Sequence, residues 1–151
     1  MGTRSNELSK EDFRKIFGKE YYSFDEGDVH YVVLDDVFYY ARHYVGYLEE
    51  SQLEWLENDL RDIKPGSKVV IFMHIPTWSR EARAGEYGKE EMNKIVGNRR
   101  ELYRILEPYD AHLCTAHEHY AENYELSDSL FEHVHAPLSG LFWQSLWSMD
   151  G

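Results

Sequence analysis

The chain has 151 residues, 16 of them basic and 28 acidic, for a net charge of −12. That balance excludes a broad basic face for nucleic acid and disfavours anchoring to anionic lipid. A single cysteine, Cys114, excludes an intrachain disulfide and a CxxC zinc site, and 42% hydrophobic residues with four prolines describe a folded chain, one domain or part of one.

Aromatic residues make up 15%, including 12 tyrosines and 4 tryptophans, which suit a half-wet cleft or seam. No apolar stretch reaches the ~18 residues of a membrane span. The first six residues carry no apolar run, so no signal peptide is expected.

Residues 1–9 are polar and are expected to be disordered. Residues 10–17 predict a short helix with Phe13, Ile16 and Phe17 on one face and Gly18 as its stop. A strand at 21–24, a turn at Glu26-Gly27-Asp28 and a strand at 29–34 make a hairpin signal. The aromatic stretch 37–48 reads as a loop over a cleft. Ser51 and Glu54 spell a capping box opening a helix to about Lys64, with Leu53, Leu56, Leu60 and Ile63 at helical spacing.

Pro65-Gly66 then breaks the chain. The run 69–73 follows, five apolar residues that predict a strand buried on both faces, as in the middle of an α/β sheet. It ends at His74, and Pro76 cannot continue a central strand. Residues 77–97 read as a long, functional loop. Asn98 and Glu101 cap a helix with Leu102, Ile105 and Leu106 inward, stopped at Pro108. A buried strand at 111–115 precedes Ala116-His117-Glu118-His119, and strands at 120–126 and 130–136 flank Ser127-Asp128-Ser129. The tail 139–147 is apolar. The fold class is α/β, with one αβ unit leading into the strand that ends at His74.

Each of two buried strands therefore delivers histidine at its C-terminal end, where open α/β sheets form their sites. His74 comes from one, His117 and His119 from the other. If the chain is extended at 117–119, the two imidazoles point to one side. Three imidazoles at one sheet edge suit a transition-metal site. A lone His74 would read as structural, and an HxH alone arises by chance in a chain with 8 histidines. The order strand, Met73-His74-Ile75-Pro76, helix, strand, Ala116-His117-Glu118-His119 is much more specific.

These two motifs resemble the last two of the calcineurin-like metallophosphoesterases. Residues 21–35 resemble that family's middle hairpin, and Gln52-Leu53-Glu54-Trp55-Leu56 the helix after it. The resemblance covers about 10–147 and makes 1–151 a partial domain, the C-terminal half of a four-layer αββα sandwich. It implies a metal-dependent phosphoester hydrolase, with two divalent ions of the zinc, iron or manganese type clamping the attacking and leaving oxygens. Carried over, His74 and His117 would bind one metal and His119 the other, with a phosphoester as substrate.

The family's upstream DxH, GDxxD and GNH motifs are absent. Asp28-Val29-His30 precedes a strand, Gly27-Asp28 has Tyr31 where an aspartate is needed, and Gly97-Asn98 is followed by Arg99. No catalytic residue is assigned, because the bridging aspartate, asparagine ligand and acid histidine are missing. Ala116 stands where the family usually has glycine. Three neutral histidines cannot hold two ions close together without a carboxylate, so the chain is expected to be inactive or weakly active alone. Apolar surface should be left uncovered, favouring self-association.

Asp35 and Asp36 read as turn residues more than ligands. His112 is expected to be packed and His135 near the cleft, while His30, His43 and His133 have no supporting context. Trp78 reads equally as pocket wall or core, and Cys114 as a small buried residue. The alternatives are a non-catalytic metal-binding or protein-interaction fragment and an unrelated mononuclear histidine metalloenzyme.

Overall fold

The computed structural model describes residues 10–40, 43–80 and 92–137. The apolar tail at 139–147 and the middle of the long loop, 81–91, lie outside them. The first helix, α1, spans Glu11–Phe17 and stops at Gly18 as expected. Strands β1 (Tyr22–Glu26) and β2 (Val29–Val33) form the hairpin, with Gly27 supplying the positive φ of the turn. Then come β3 (Val37–Tyr40), β4 (His43–Gly46), helix α2 (Glu50–Asp59) with a 3-10 turn at Leu60–Asp62, and β5 (Lys68–Phe72). Helix α3 (Arg99–Leu106), β6 (Asp110–Thr115), β7 (Glu122–Ser127) and β8 (Leu130–Val134) complete the described chain.

Six strands make one sheet in the order β1-β2-β5-β6-β8-β7. The inner four are mutually parallel, and β1 and β7 pair antiparallel as edges. Helices α2 and α3 share one face. Leu53, Leu56 and Leu60 meet Leu102, Ile105 and Leu106 over Val32, Val69, Ile71, Ala111 and Leu113 in one apolar cluster. No described helix is long and apolar enough to cross a membrane.

Several expectations need correction. The described residues 37–40 and 43–46 are not loop: β3 and β4 pair as a separate antiparallel ribbon, Val37 opposite Gly46. The β-branched and aromatic content of this stretch suits strands. The ribbon is fastened by Tyr47 N–H to the Asp36 carbonyl, at 2.9 Å, and by the segment 92–97. A Cβ at Gly46 would lie 2.7 Å from the Ile95 carbonyl, so glycine permits that approach. The capping box is not made either. Helix α2 begins two residues earlier than that box requires, at Glu50, with Glu49 as its N-cap and no side-chain cap. Asn98 likewise caps nothing; its side chain bonds the Leu48 N–H and C=O at 3.1 and 2.8 Å.

The strand before His74 is buried on one face only. Val69 and Ile71 are fully covered, while Phe72 is 40% exposed, and Tyr22 and Phe24 are each 46% exposed. The open face carries a row of stacked rings crossing three strands. Phe24 faces Tyr31 at 5.1 Å, and Tyr31 faces Phe72 at 6.2 Å, with planes within about 12° of parallel.

Expected outcome: Leu113→Ala, on the closed face, lowers unfolding free energy by about 2–5 kcal/mol. Phe72→Ala, on the open face, costs well under half as much. Urea denaturation of the two variants checks this contrast, and equal losses would show that the open face is covered in solution.

Candidate functional site

The ladder around β5 closes with Leu34 N–H to the Phe72 carbonyl at 2.9 Å and Met73 N–H to the Cys114 carbonyl at 3.2 Å. Beyond that point the chain leaves the sheet, and its donors need other partners. Asp36, 1% exposed, takes two of them. Its carboxylate accepts His74 N–H at 3.0 Å and Ile75 N–H at 2.6 Å. Glu132, fully buried on β8, takes the next two, Thr77 N–H at 2.7 Å and Trp78 N–H at 3.0 Å. It also accepts the hydroxyls of Thr77 and Thr115 at 2.7 and 3.1 Å. The Tyr103 hydroxyl donates to Thr77 Oγ1 at 2.7 Å and fastens α3 to the same turn.

Burial pushes the Asp36 carboxyl up to about 7, against the pull of the two N–H groups. Burial also raises Glu132, opposed by its four donors. The sequence reading of Asp36 as a turn residue is therefore incomplete: it closes β2, but as a sunken carboxylate that holds the neighbouring strand's end. Glu132 was missed altogether. Its signal was present, since Leu130, Glu132 and Val134 are the inward positions of β8 and the middle one is charged.

The turn presents His74 toward His117. His74 Nε2 lies 3.2 Å from His117 Nδ1, with the rings edge to face and their centres 5.0 Å apart. Strands β5 and β6 are direct parallel neighbours, as the crossover rule allows, and Ala116 N–H bonds the His74 carbonyl at 3.0 Å. Tyr44, on β4, sets its ring edge-on to His117 at 5.9 Å. The His74 pKa is lowered by desolvation and then by the charge of His119. That of His117 is lowered by desolvation and by His74, against a hydrogen bond with the Asn93 backbone. Both rings are thereby favoured in the neutral form, which leaves a nitrogen lone pair available.

His117 and His119 are not on an extended chain, which corrects the expected i, i+2 arrangement. Both adopt left-handed backbone, at φ 65° and 58°. Between them Glu118 is buried, with the Lys94 ammonium 3.9 Å from its carboxylate. The structure thus brings His74 and His117 together and keeps His119 within electrostatic reach. No group of three or more His, Cys, Asp or Glu side chains among the described residues is arranged to hold a metal ion. A cavity of about 390 Å3 opens beside His74, walled by Phe13, Val33, Val37 and Tyr39.

Three further histidines, His30, His112 and His133, have side-chain partners. His30 is buried, its Nδ1 2.8 Å from Asp25 and its Nε2 3.0 Å from Asp59. The His112 ring lies against both Phe131 and His133 of β8, with Nδ1 3.0 Å from His133 Nε2. Trp78 is half-buried and sets its ring against Tyr124. Cys114 is only half-buried, since it stands on the open face.

No family model and no curated protein sequence matches the chain. Among solved structures it is similar to a dimetal phosphatase from Danio rerio, at 13% identity and a TM-score of 0.54. The match covers 77% of this chain and 48% of that one, so the chain spans about half the length of its structural relative. At this identity the likeness shows the fold, a partial phosphoesterase-type α/β arrangement.

Because burial raises the Glu132 pKa, the folded protein keeps this proton at pH values where the unfolded chain has released it. Its contribution to stability is full below the ordinary carboxylate pKa and is lost as pH rises through the raised value. Glu132→Gln removes that drift and turns an amide toward the Trp78 N–H, a donor facing a donor. We expect a deficit of about 1–3 kcal/mol near pH 5 that narrows near pH 8, read by urea denaturation.

Proposed function

We propose that this chain is the C-terminal half of a calcineurin-like metallophosphoesterase domain, a metal-dependent phosphoester hydrolase that is inactive or weakly active alone. The supporting observation is the approach of His74 Nε2 to His117 Nδ1, 3.2 Å apart at the ends of adjacent parallel strands. Two nitrogens bound at ~2.0–2.1 Å to one tetrahedral ion lie about 3.3–3.4 Å apart, so the pair fits two corners of one site. The rings are favoured neutral, as ligands must be. His117 also bonds the backbone of Asn93, the kind of outer contact that fixes a ligating imidazole.

In this reading His74 and His117 hold one divalent ion of the zinc, iron or manganese type, and His119 belongs to a second. A bound divalent ion would supply Lewis acidity and a hydroxide for in-line attack on a phosphoester. The fit here extends to one ion held by a pair and not to a dinuclear centre. Asp36 and Glu132 spend their oxygens on backbone and hydroxyl donors, which leaves no carboxylate of this turn to bridge two ions. Completing the centre then requires carboxylates from outside the described residues.

Calorimetric titration with zinc or manganese should show weak binding of one ion per chain. His74→Ala and His117→Ala abolish it, and His119→Ala reduces it less. Aryl phosphate hydrolysis should be near background for these 151 residues and appear on extension upstream. Clear activity in the chain alone would sink the half-domain reading, and an extended chain that binds no metal would sink the phosphoesterase.

A second reading, a non-catalytic interaction fragment, draws on the exposed rings of Tyr22, Phe24 and Phe72. It predicts concentration-dependent self-association in sedimentation velocity, abolished by joint Phe24→Lys and Phe72→Lys. A wild-type chain that stays monomeric at all concentrations removes it.

A further inference from the structure

We infer that Asp36 is a positioning residue for the histidine pair: its carboxylate fixes the backbone from which His74 reaches His117. The zinc readout of this inference rests on the metal-site reading above; its geometric readout does not.

The argument starts from what the position needs. Asp36 lies at the exit of β2, where an apolar side chain would fill the space with no desolvation cost. A carboxylate there is costly to bury unless hydrogen bonds offset it. Both of its oxygens are committed, Oδ1 to the His74 N–H and Oδ2 to the Ile75 N–H. Those are the first two donors beyond the ladder contact of Met73. Pro76, which follows, has no N–H, and its carbonyl accepts from Val96 N–H at 2.9 Å. The next two donors, of Thr77 and Trp78, go to Glu132. Asp36 therefore holds the half of the turn that carries His74, and Glu132 holds the half beyond Pro76.

On its other side the His74 carbonyl is tied to Ala116 N–H at 3.0 Å. His74 is thus gripped through its N–H by the end of β2 and through its carbonyl by the chain leading to His117. Only the ring is left exposed. Release of the Asp36 end lets the peptide planes of His74 and Ile75 rotate, and the 3.2 Å approach of the two ring nitrogens depends on those planes.

The test uses Asp36→Asn, which keeps the shape but places an N–H2 against one backbone N–H. Asp59→Asn is the control. It weakens the half-buried contacts of His30 and Ser23 with Asp59, at 3.0 and 2.8 Å, and touches nothing in the 74–78 turn. Zinc chloride affinity is measured by calorimetry, and the His74–His117 ring contact by nuclear Overhauser effects in metal-free protein. Asp36→Asn should weaken zinc about tenfold or more, the usual size of an outer-contact effect, and lose the ring contact. Asp59→Asn should do neither.

Unchanged zinc affinity in Asp36→Asn, or equal weakening in both variants, overturns the inference. If the wild-type chain binds no zinc, the metal-site reading fails and the ring contact alone decides. Loss in Asp36→Asn with retention in Asp59→Asn upholds positioning, and retention in both overturns it. Should Asp36→Asn not fold, Asp36→Ser, which keeps one acceptor without the opposed N–H2, replaces it with the same outcomes.

Discussion

The geometry of the histidine edge depends on two carboxylates sunk beneath it. Asp36 and Glu132 together accept every backbone N–H from His74 to Trp78, Pro76 having none to give. A strand that leaves a central position in a parallel sheet strands its donors inside the protein, and unpaired donors there are costly. Here each acceptor is a buried carboxyl group, Asp36 just beyond the end of β2 beside β5 and Glu132 on β8 beside β6. The turn is thereby cross-braced from both sides of the sheet.

The same sheet is finished on one face and open on the other. Helices α2 and α3 supply the closed face, and Tyr103 and Tyr109 link helical structure to the strand ends through hydroxyls at 2.7 Å. The open face holds aromatic and imidazole rings stacked along the direction of strand pairing. Both edges of the open face are antiparallel strands, so the parallel core is shielded laterally even where it is not covered.

The sheet was legible because its signals are local. Breakers at Pro65-Gly66 and Pro108, apolar runs of strand length and two leucine stripes define the αβ order with little ambiguity. Parallel crossovers leave few arrangements for the two strand ends, and the structure makes the strands that precede His74 and His117 direct neighbours. What escaped were properties set by distant partners. The 37–48 stretch has the composition of strands, but its pairing is two-stranded and its support comes from segment 92–97, fifty residues on. One-sided burial of β5 was invisible because a continuous apolar run does not say what covers it. Asp36 and Glu132 look like ordinary strand-end and strand residues until the turn they serve is in view. Ser51 and Asn98 carry capping chemistry, yet Asn98 found a better use in the Leu48 backbone.

The left-handed turn at His117 and His119 imposes a double requirement on two positions. Most L-residues resist that conformation, and sustaining it costs on the order of 1–3 kcal/mol per residue. Glycine adopts it freely, asparagine and aspartate readily, and β-branched residues scarcely at all. The tract therefore filters substitutions by backbone before any imidazole chemistry is consulted. Valine or isoleucine there would be rejected for shape alone. Glycine would relax the loop while removing the ring. Asparagine is the replacement that separates the two demands, because it keeps the turn and surrenders only the imidazole.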